Sequence, residues 1–410
     1  MSAGTSAPNG SGATLVVIGA SLTGATAATA AREGGFDGRI VLVGDEPGLP
    51  YERPPLSKDV LRGEAPDDSA DVHDAAHYPE HGIELMAGRT VTAIDAGAGS
   101  VTLDGGERIP FTTAVLATGC APRRLRFDGR EPEGVHYLRT RADAARLRGA
   151  LGPGRRVAVI GAGWIGSEVA ASARGMGSDV VLIEPAPVPL LRVLGERVGG
   201  MFARLHAEHG VDLRLGRGVT EVAADRVVLD DGTVEEVDVV VAGIGVVPRT
   251  ELAEAAGLPV DNGVVVDEQL RTQGPGIYAA GDVAAAWHPF YRRPLRVEHW
   301  ANALNQGRTV GANAAGAGEV YDRIPYFFSD QYDLGLEYVG LADPGDEVTI
   351  RGDEEGREFI AFWHRDGRVT AAMNVNVWDV VDDLRALLTR SEPVDPHHLA
   401  NPDIALAELV

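Results

Sequence analysis

Gly161, Gly163, Gly166 and Glu184 are the residues whose types and spacing point most directly to chemistry. The three glycines form G-x-G-x-x-G at the end of the apolar run Val157 to Ile160. In such a loop the first glycine makes a tight turn and the second lets a pyrophosphate approach the backbone. The third lets a helix pack closely on a strand. The amides that open the helix, helped by its dipole, then bind phosphate oxygens. Glu184 closes a second apolar run, Val180 to Ile183, 18 residues past the last glycine. A carboxylate there accepts hydrogen bonds from a ribose 2′-hydroxyl and repels a 2′-phosphate. These four residues predict a dinucleotide site that prefers NADH to NADPH.

The strand and helix around this loop recur earlier in the chain. Leu15 to Ile18 reads as a strand, Gly19 to Gly24 as a glycine loop with Ser21 and Thr23, and Ala25 to Ala31 as a helix start. Ile40 to Val43 is the next strand, with Asp45 in the ribose position. Serine replaces the middle glycine, which weakens the first copy taken alone. Its recurrence 142 residues later, at Gly161, implies either two bound nucleotides or one nucleotide and a decayed copy, and the first is favoured. Both copies also continue alike. Short strands over 89–118 end in Thr118 and Gly119, and Gly243, Gly245 and Pro248 in the second half match Gly119 and Pro122. Each half therefore reads as βαβ, β-meander and return strand, an internal duplication.

Between these elements lies YERPPLSK (51–58), whose two prolines stiffen the backbone and forbid helix there. Taken alone it reads as a stiffened surface loop with solvated charges; the other reading is that Arg53 and Lys58 hold cations beside a bound cofactor. Further on, a short strand sets Gly281 and Asp282 at a carboxyl edge, where ligands of α/β sheets bind. Trp300 lies at the start of a small-residue helix running to about Ala315, whose amides can face an anionic group. From about Pro325, aromatics, alternating strands and a short helix near 380–389 mark a separate α+β domain.

At 410 residues the chain exceeds one ordinary core. Its 44% apolar and 24% charged content is that of a soluble globular protein, and no apolar stretch nears the roughly 20 residues of a membrane span. Residues 1–13 lack a signal-peptide pattern and read as a flexible tail, so a soluble cytoplasmic protein is expected. A net charge of −23 disfavours nucleic acid and anionic membrane as partners. The single cysteine, Cys120, excludes a disulfide framework and a redox-active cysteine pair, and it reads as a small buried residue. The eleven histidines show no ligand spacing, and no metal is expected.

Several stretches together resemble the FAD-dependent pyridine-nucleotide oxidoreductases: PYERPPLSK (50–58), GAGWIGSEVA (161–170), YAAGD (278–282), EHWANALNQG (298–307) and PYFFSDQYDLGLEYVG (325–340). Within that group, the chain from Leu15 onward is similar to ferredoxin reductases of bacterial oxygenases and cytochromes P450. The resemblance implies an α/β fold with two Rossmann-like nucleotide-binding domains (glutathione-reductase-like) plus a C-terminal α+β domain. It implies a discontinuous FAD-binding domain over 14–122 and 250–324, an NAD-binding domain over 123–249 and an interface domain over 325–410.

For FAD the resemblance implies Gly19, Ser21, Thr23 and Gly24 in the loop, Asp45 on the adenosine ribose and Val91 by the adenine. It adds Arg53, Thr118, Gly119, Arg139 and Gly281, with Lys58 near the flavin ring, Asp282 on the ribityl–phosphate portion and Trp300 by its backbone at the flavin. For NADH it implies Gly161, Gly163, Ile165, Gly166, Glu184 and Gly245. Glu168 resembles the family glutamate that pairs with the lysine of PPLSK beside the nicotinamide. Lys58 and Glu168 are supporting residues in this reading, not an acid–base pair. Three positions depart from the family: Ser21 for glycine, Arg249 where asparagine is frequent, and Phe328 where tryptophan is frequent.

The implied reaction passes hydride from NADH to FAD and then single electrons to a [2Fe-2S] or similar ferredoxin that feeds a cytochrome P450 or oxygenase. An acidic ferredoxin would meet a protein of charge −23, so basic clusters at Arg123/Arg124/Arg126 and Arg292/Arg293/Arg296 are candidate docking points. The competing reading is a redox-responsive flavoprotein of the apoptosis-inducing-factor kind, or a reductase of quinone or another acceptor. The former shares PPLSK and the WIG loop.

Overall fold

The computed structural model describes residues 12–410, so most of the tail expected over 1–13 lies outside the described residues. The chain divides into two compact units. The first runs up to Glu52 and adds Asp68–Ala121 and Val247–Arg323; the second joins Arg53–Asp67, Pro122–Val246 and Ile324–Val410.

The first unit is built on five parallel strands in the order Ile277–Ala279, Thr113–Leu116, Thr14–Ile18, Arg39–Gly44 and Ile83–Ala87. Leu15, Val16 and Val17 are all fully buried, as an apolar run covered on both sheet faces requires. The helix Leu22–Glu33 follows the first strand and meets the helix Trp300–Ala314 at very close range. Glycine makes that approach possible: a Cβ on Gly311 would lie 2.4 Å from the Ala27 carbonyl oxygen. A three-stranded antiparallel meander, Val91–Asp95, Ser100–Leu103 and Arg108–Pro110, completes the copy.

The second unit repeats the plan. Its parallel sheet runs Asp212–Leu215, Asp179–Glu184, Arg156–Ile160, Val239–Ala242 and Val135–His136, beside the meander Val219–Val222, Arg226–Leu229 and Val234–Glu236. The two sheets match strand for strand about their central first strands.

The same unit carries a five-stranded antiparallel sheet, ordered Tyr326–Gln331, Leu334–Gly340, Arg368–Val375, Glu358–Arg365 and Glu347–Asp353. One face packs on the helix Val381–Thr389 through Leu384, Leu387 and Leu388. The other packs on the helix Leu191–Glu208 through Leu194, Val198, Met201 and Phe202. Sequence reading did not anticipate that second helix, which is interrupted where Gly195 takes φ 74°.

One expectation fails. The prolines of 51–58 do not forbid helix: Pro54–Ser57 is a 3₁₀ turn, followed by the helical turn Asp59–Arg62. Proline is compatible with a first helical turn, where its missing N–H would have had no partner. Among the described residues, no helix is long and apolar enough to cross a membrane.

Candidate nucleotide-binding and redox site

The two glycine loops are built alike at their first and third glycines. Gly19 has φ 114° and Gly161 φ 98°, and a Cβ there would lie 2.1 Å from the Ala117 oxygen or 2.5 Å from the Gly243 oxygen. A Cβ on Gly24 would lie 1.9 Å from the Gly19 oxygen, and one on Gly166 1.9 Å from the Gly161 oxygen. Any side chain at these four points would collide with backbone.

What the loops present is a set of helix amides without caps. Ser21 begins the helix Leu22–Glu33 but makes no side-chain cap; its hydroxyl donates instead to the Tyr51 carbonyl at 3.2 Å. Gly163 precedes the helix Trp164–Gly175, is exposed and has no atom within 4 Å of a built Cβ. The helix Arg141–Ala150, by contrast, has a complete capping box from Thr140 and Asp143. Helix amides left uncapped beside a strap of glycine backbone fit phosphate oxygens. The residues present therefore fit two dinucleotides.

The ribose-position carboxylates differ. Glu184 accepts from two backbone amides, Ala162 at 2.7 Å and Ala186 at 3.0 Å. Asp45 instead pairs with Arg249, Nη1 to Oδ2 at 2.9 Å. Arg249 is itself pinned to the expected strand end: its amide donates to the Gly119 oxygen at 2.9 Å, and the Thr118 hydroxyl donates to its carbonyl at 2.8 Å. Sequence reading noted Arg249 only as a departure from asparagine.

Elsewhere in the first unit, Gly281 (φ 78°) sits against Thr23: a Cβ on it would be 2.4 Å from Thr23 Oγ1. The Gly281 amide donates to Gln306 Oε1 at 2.7 Å. The Asp282 carbonyl accepts from Arg296 at 3.3 Å. Trp300 opens its helix after His299, whose imidazole is pushed down to about 4 by burial, with the Asp282 charge opposing the shift. Val91 is buried in the core, so its side chain packs among apolar neighbours.

In the second unit the structure brings Lys58 and Glu168 together, Nζ to Oε2 at 2.8 Å. Two hydroxyls that sequence reading passed over complete the cluster: Ser57 Oγ donates to Glu168 Oε2 at 2.5 Å and Ser329 Oγ to Oε1 at 2.7 Å. Glu168 is 5% exposed, and a carboxylate so buried needs this number of donors to offset its desolvation. Nearby, burial raises the Asp330 carboxyl above the usual range; Lys58 acts against the shift and Glu168 adds to it. Phe328 is half-buried on the same strand as Ser329. The Arg53 guanidinium donates to the Arg139 carbonyl. Ile165 stands 46% exposed in the first turn after Gly163. Gly245 takes φ 94°, and its oxygen accepts from the Arg123 amide at 2.9 Å.

Of the two basic clusters, several members are already committed. Arg296 is 10% exposed and pairs with Glu298 at 2.7 Å, and Arg124 lies over the Tyr137 ring and pairs with Glu131 at 3.4 Å. Arg292 and Arg293 remain at the surface.

Known proteins of similar sequence and fold point to one family. Residues 13–307 match the family model for pyridine nucleotide-disulphide oxidoreductase, and residues 326–410 match that for the reductase C-terminal domain. The anthranilate 1,2-dioxygenase system ferredoxin–NAD(+) reductase component of Burkholderia cepacia is 42% identical, covering 96% of this chain and 98% of that protein. Rhodocoxin reductase of Rhodococcus erythropolis is 40% identical, over 96% of this chain and 93% of that protein. The crystal structure of the covalent putidaredoxin reductase–putidaredoxin complex superposes with a TM-score of 0.92 at 37% identity, covering 98% of each chain.

Proposed function

The chain belongs to the pyridine nucleotide-disulphide oxidoreductase family, and from that premise we propose that it is a cytoplasmic NADH:ferredoxin reductase. When bound, FAD and NADH would supply the redox chemistry, a two-electron hydride transfer from NADH to FAD followed by single electrons to a [2Fe-2S] or similar ferredoxin that feeds a cytochrome P450 or oxygenase. The observation that carries this reading is the pair of uncapped glycine loops in one chain, completed by a reductase C-terminal domain. One loop fits a resident flavin nucleotide and the other an exchanging pyridine nucleotide.

Each chain residue then has a definite task. The amides after Ser21 and Gly163 bind pyrophosphates. Asp45 and Glu184 accept from ribose hydroxyls, and Glu184 repels the 2′-phosphate of NADPH. By the family resemblance, Lys58 would supply a positive charge that favours the negative charge of a reduced flavin. Glu168, held by Ser57 and Ser329, fixes that ammonium in place. Val91, Thr118, Gly119, Arg53, Arg139, Gly281, Asp282 and Trp300 are assigned to FAD, and Ile165 and Gly245 to NADH. By function we divide the chain into an FAD domain (14–122 and 250–324), an NAD domain (123–249) and a C-terminal domain (325–410).

The test is NADH-driven cytochrome c reduction with and without candidate ferredoxins. A ferredoxin that accelerates the reaction many-fold supports the proposal. Ferredoxin-independent turnover with every candidate, at rates set by cytochrome c alone, contradicts it.

A further inference from the structure

We infer that Arg249 is a positioning residue for FAD: with Asp45 it forms a strap across the mouth of the first dinucleotide crevice and slows loss of the flavin. The inference rests on assigning the first glycine loop to FAD.

Thr14–Ile18 lies between Thr113–Leu116 and Arg39–Gly44, so the Gly19–Gly24 loop leaves the sheet between those two neighbours. Asp45 follows directly on one neighbour, and Thr118 and Gly119 follow on the other. Arg249 has its backbone bound to Thr118 and Gly119, and its guanidinium reaches Asp45 at 2.9 Å. Strands two positions apart are separated by about 10 Å. An arginine and an aspartate side chain together cover that span, so the ion pair bridges the strand ends that flank the loop. This is the crevice in which open α/β sheets bind their ligands.

The charges also have a reason to be paired. An aspartate close to a pyrophosphate repels it, and the guanidinium offsets that repulsion. Arg249 holds Asp45 through Oδ2, leaving Oδ1 to accept from a ribose hydroxyl. Both side chains are nearly half exposed, 46% and 45%, so the strap stands at the rim and is open to salt. At the second loop the matching arginine, Arg123, makes the same backbone bond to Gly245, but among the described residues Glu184 is held by backbone amides and forms no ion pair with it.

The experiment is the rate of FAD release from flavin-loaded protein, read as the rise in flavin fluorescence, at low and high salt. Arg249→Asn should release FAD about fivefold faster than the wild type, ~1 kcal/mol. High salt should speed release from the wild type but hardly from the variant. Arg249→Lys should restore part of the retention, and Asp45→Asn with Arg249→Asn should be less than additive. Equal release rates for wild type and Arg249→Asn, or the same salt response in both, would overturn the strap. Wild-type protein that binds no FAD would instead overturn the assignment of the first loop, and with it this inference.

Discussion

The two glycine loops share one frame and differ in the partners of their ribose-position carboxylates. Both turn at a left-handed glycine, both bring a helix onto the strand through a glycine with no room for a Cβ, and both leave the helix amides uncapped. They part at the middle position and at the ribose carboxylate. The first loop has Ser21, tied to Tyr51, and a strap of Asp45 and Arg249. The second has Gly163, open to solvent, and Glu184 held by main-chain amides. A crevice with a side-chain strap suits a cofactor that stays. A bare glycine and a carboxylate set by backbone suit one that enters and leaves at each turnover.

The shared part of the design carries the largest expected effect. Gly24→Ala and Gly166→Ala each force a Cβ within 1.9 Å of a backbone oxygen, and each should cost more than ~3 kcal/mol, seen as lost soluble yield and a lower Tm. If one is tolerated and the other is not, the loops are not equivalent even in their frame. Acid separates a different feature of the second half. His206, wholly buried on Leu191–Glu208, has its imidazole pushed down to about 4 by burial. Its folded value lies below the unfolded one of about 6.5, so the stability it protects is complete above pH ~6.5 and is lost as pH falls toward 4. Up to ~3 kcal/mol should disappear across that window in denaturant titrations, and His206→Gln should flatten the dependence.

Smaller effects test the parts that differ. Gly163→Ala adds a methyl group where there is open space, so Tm should hold while the KM for NADH rises about tenfold and flavin content stays constant. Ser21→Ala should leave both nucleotides nearly unaffected, because its hydroxyl points to Tyr51. Glu184→Gln should reduce the NADH-over-NADPH ratio of kcat/KM by about fivefold, ~1 kcal/mol, without changing FAD release. A Glu184→Gln enzyme that keeps full NADH selectivity would transfer that role to another residue.

Much of this was legible in the sequence because periodicity and glycine spacing are local. The apolar runs at Leu15 and Val157, the two loops and the duplicated meanders all fold as their patterns require. The Lys58–Glu168 pair was legible only through family likeness, since nothing in the spacing of residues 110 apart joins them. What escaped were partners set by tertiary approach. Ser57 and Ser329 converge on Glu168 from a 3₁₀ turn and a strand of the C-terminal sheet, and neither carries a local signal. Arg249 looked like a mere substitution until the strand order set it opposite Asp45. The proline-rich turn was misread because proline's exclusion from helix interiors does not extend to first turns. Arg296 was counted as surface charge, whereas it is buried against Glu298 and the Asp282 carbonyl.

The most direct test of a resident flavin served by an exchanging nucleotide is anaerobic titration of gel-filtered protein with NADH, followed by flavin absorbance. About one FAD per chain should remain after filtration, with no retained pyridine nucleotide and bleaching complete near one NADH per flavin. Protein that emerges without flavin, or a flavin that NADPH bleaches as readily as NADH, would contradict this reading.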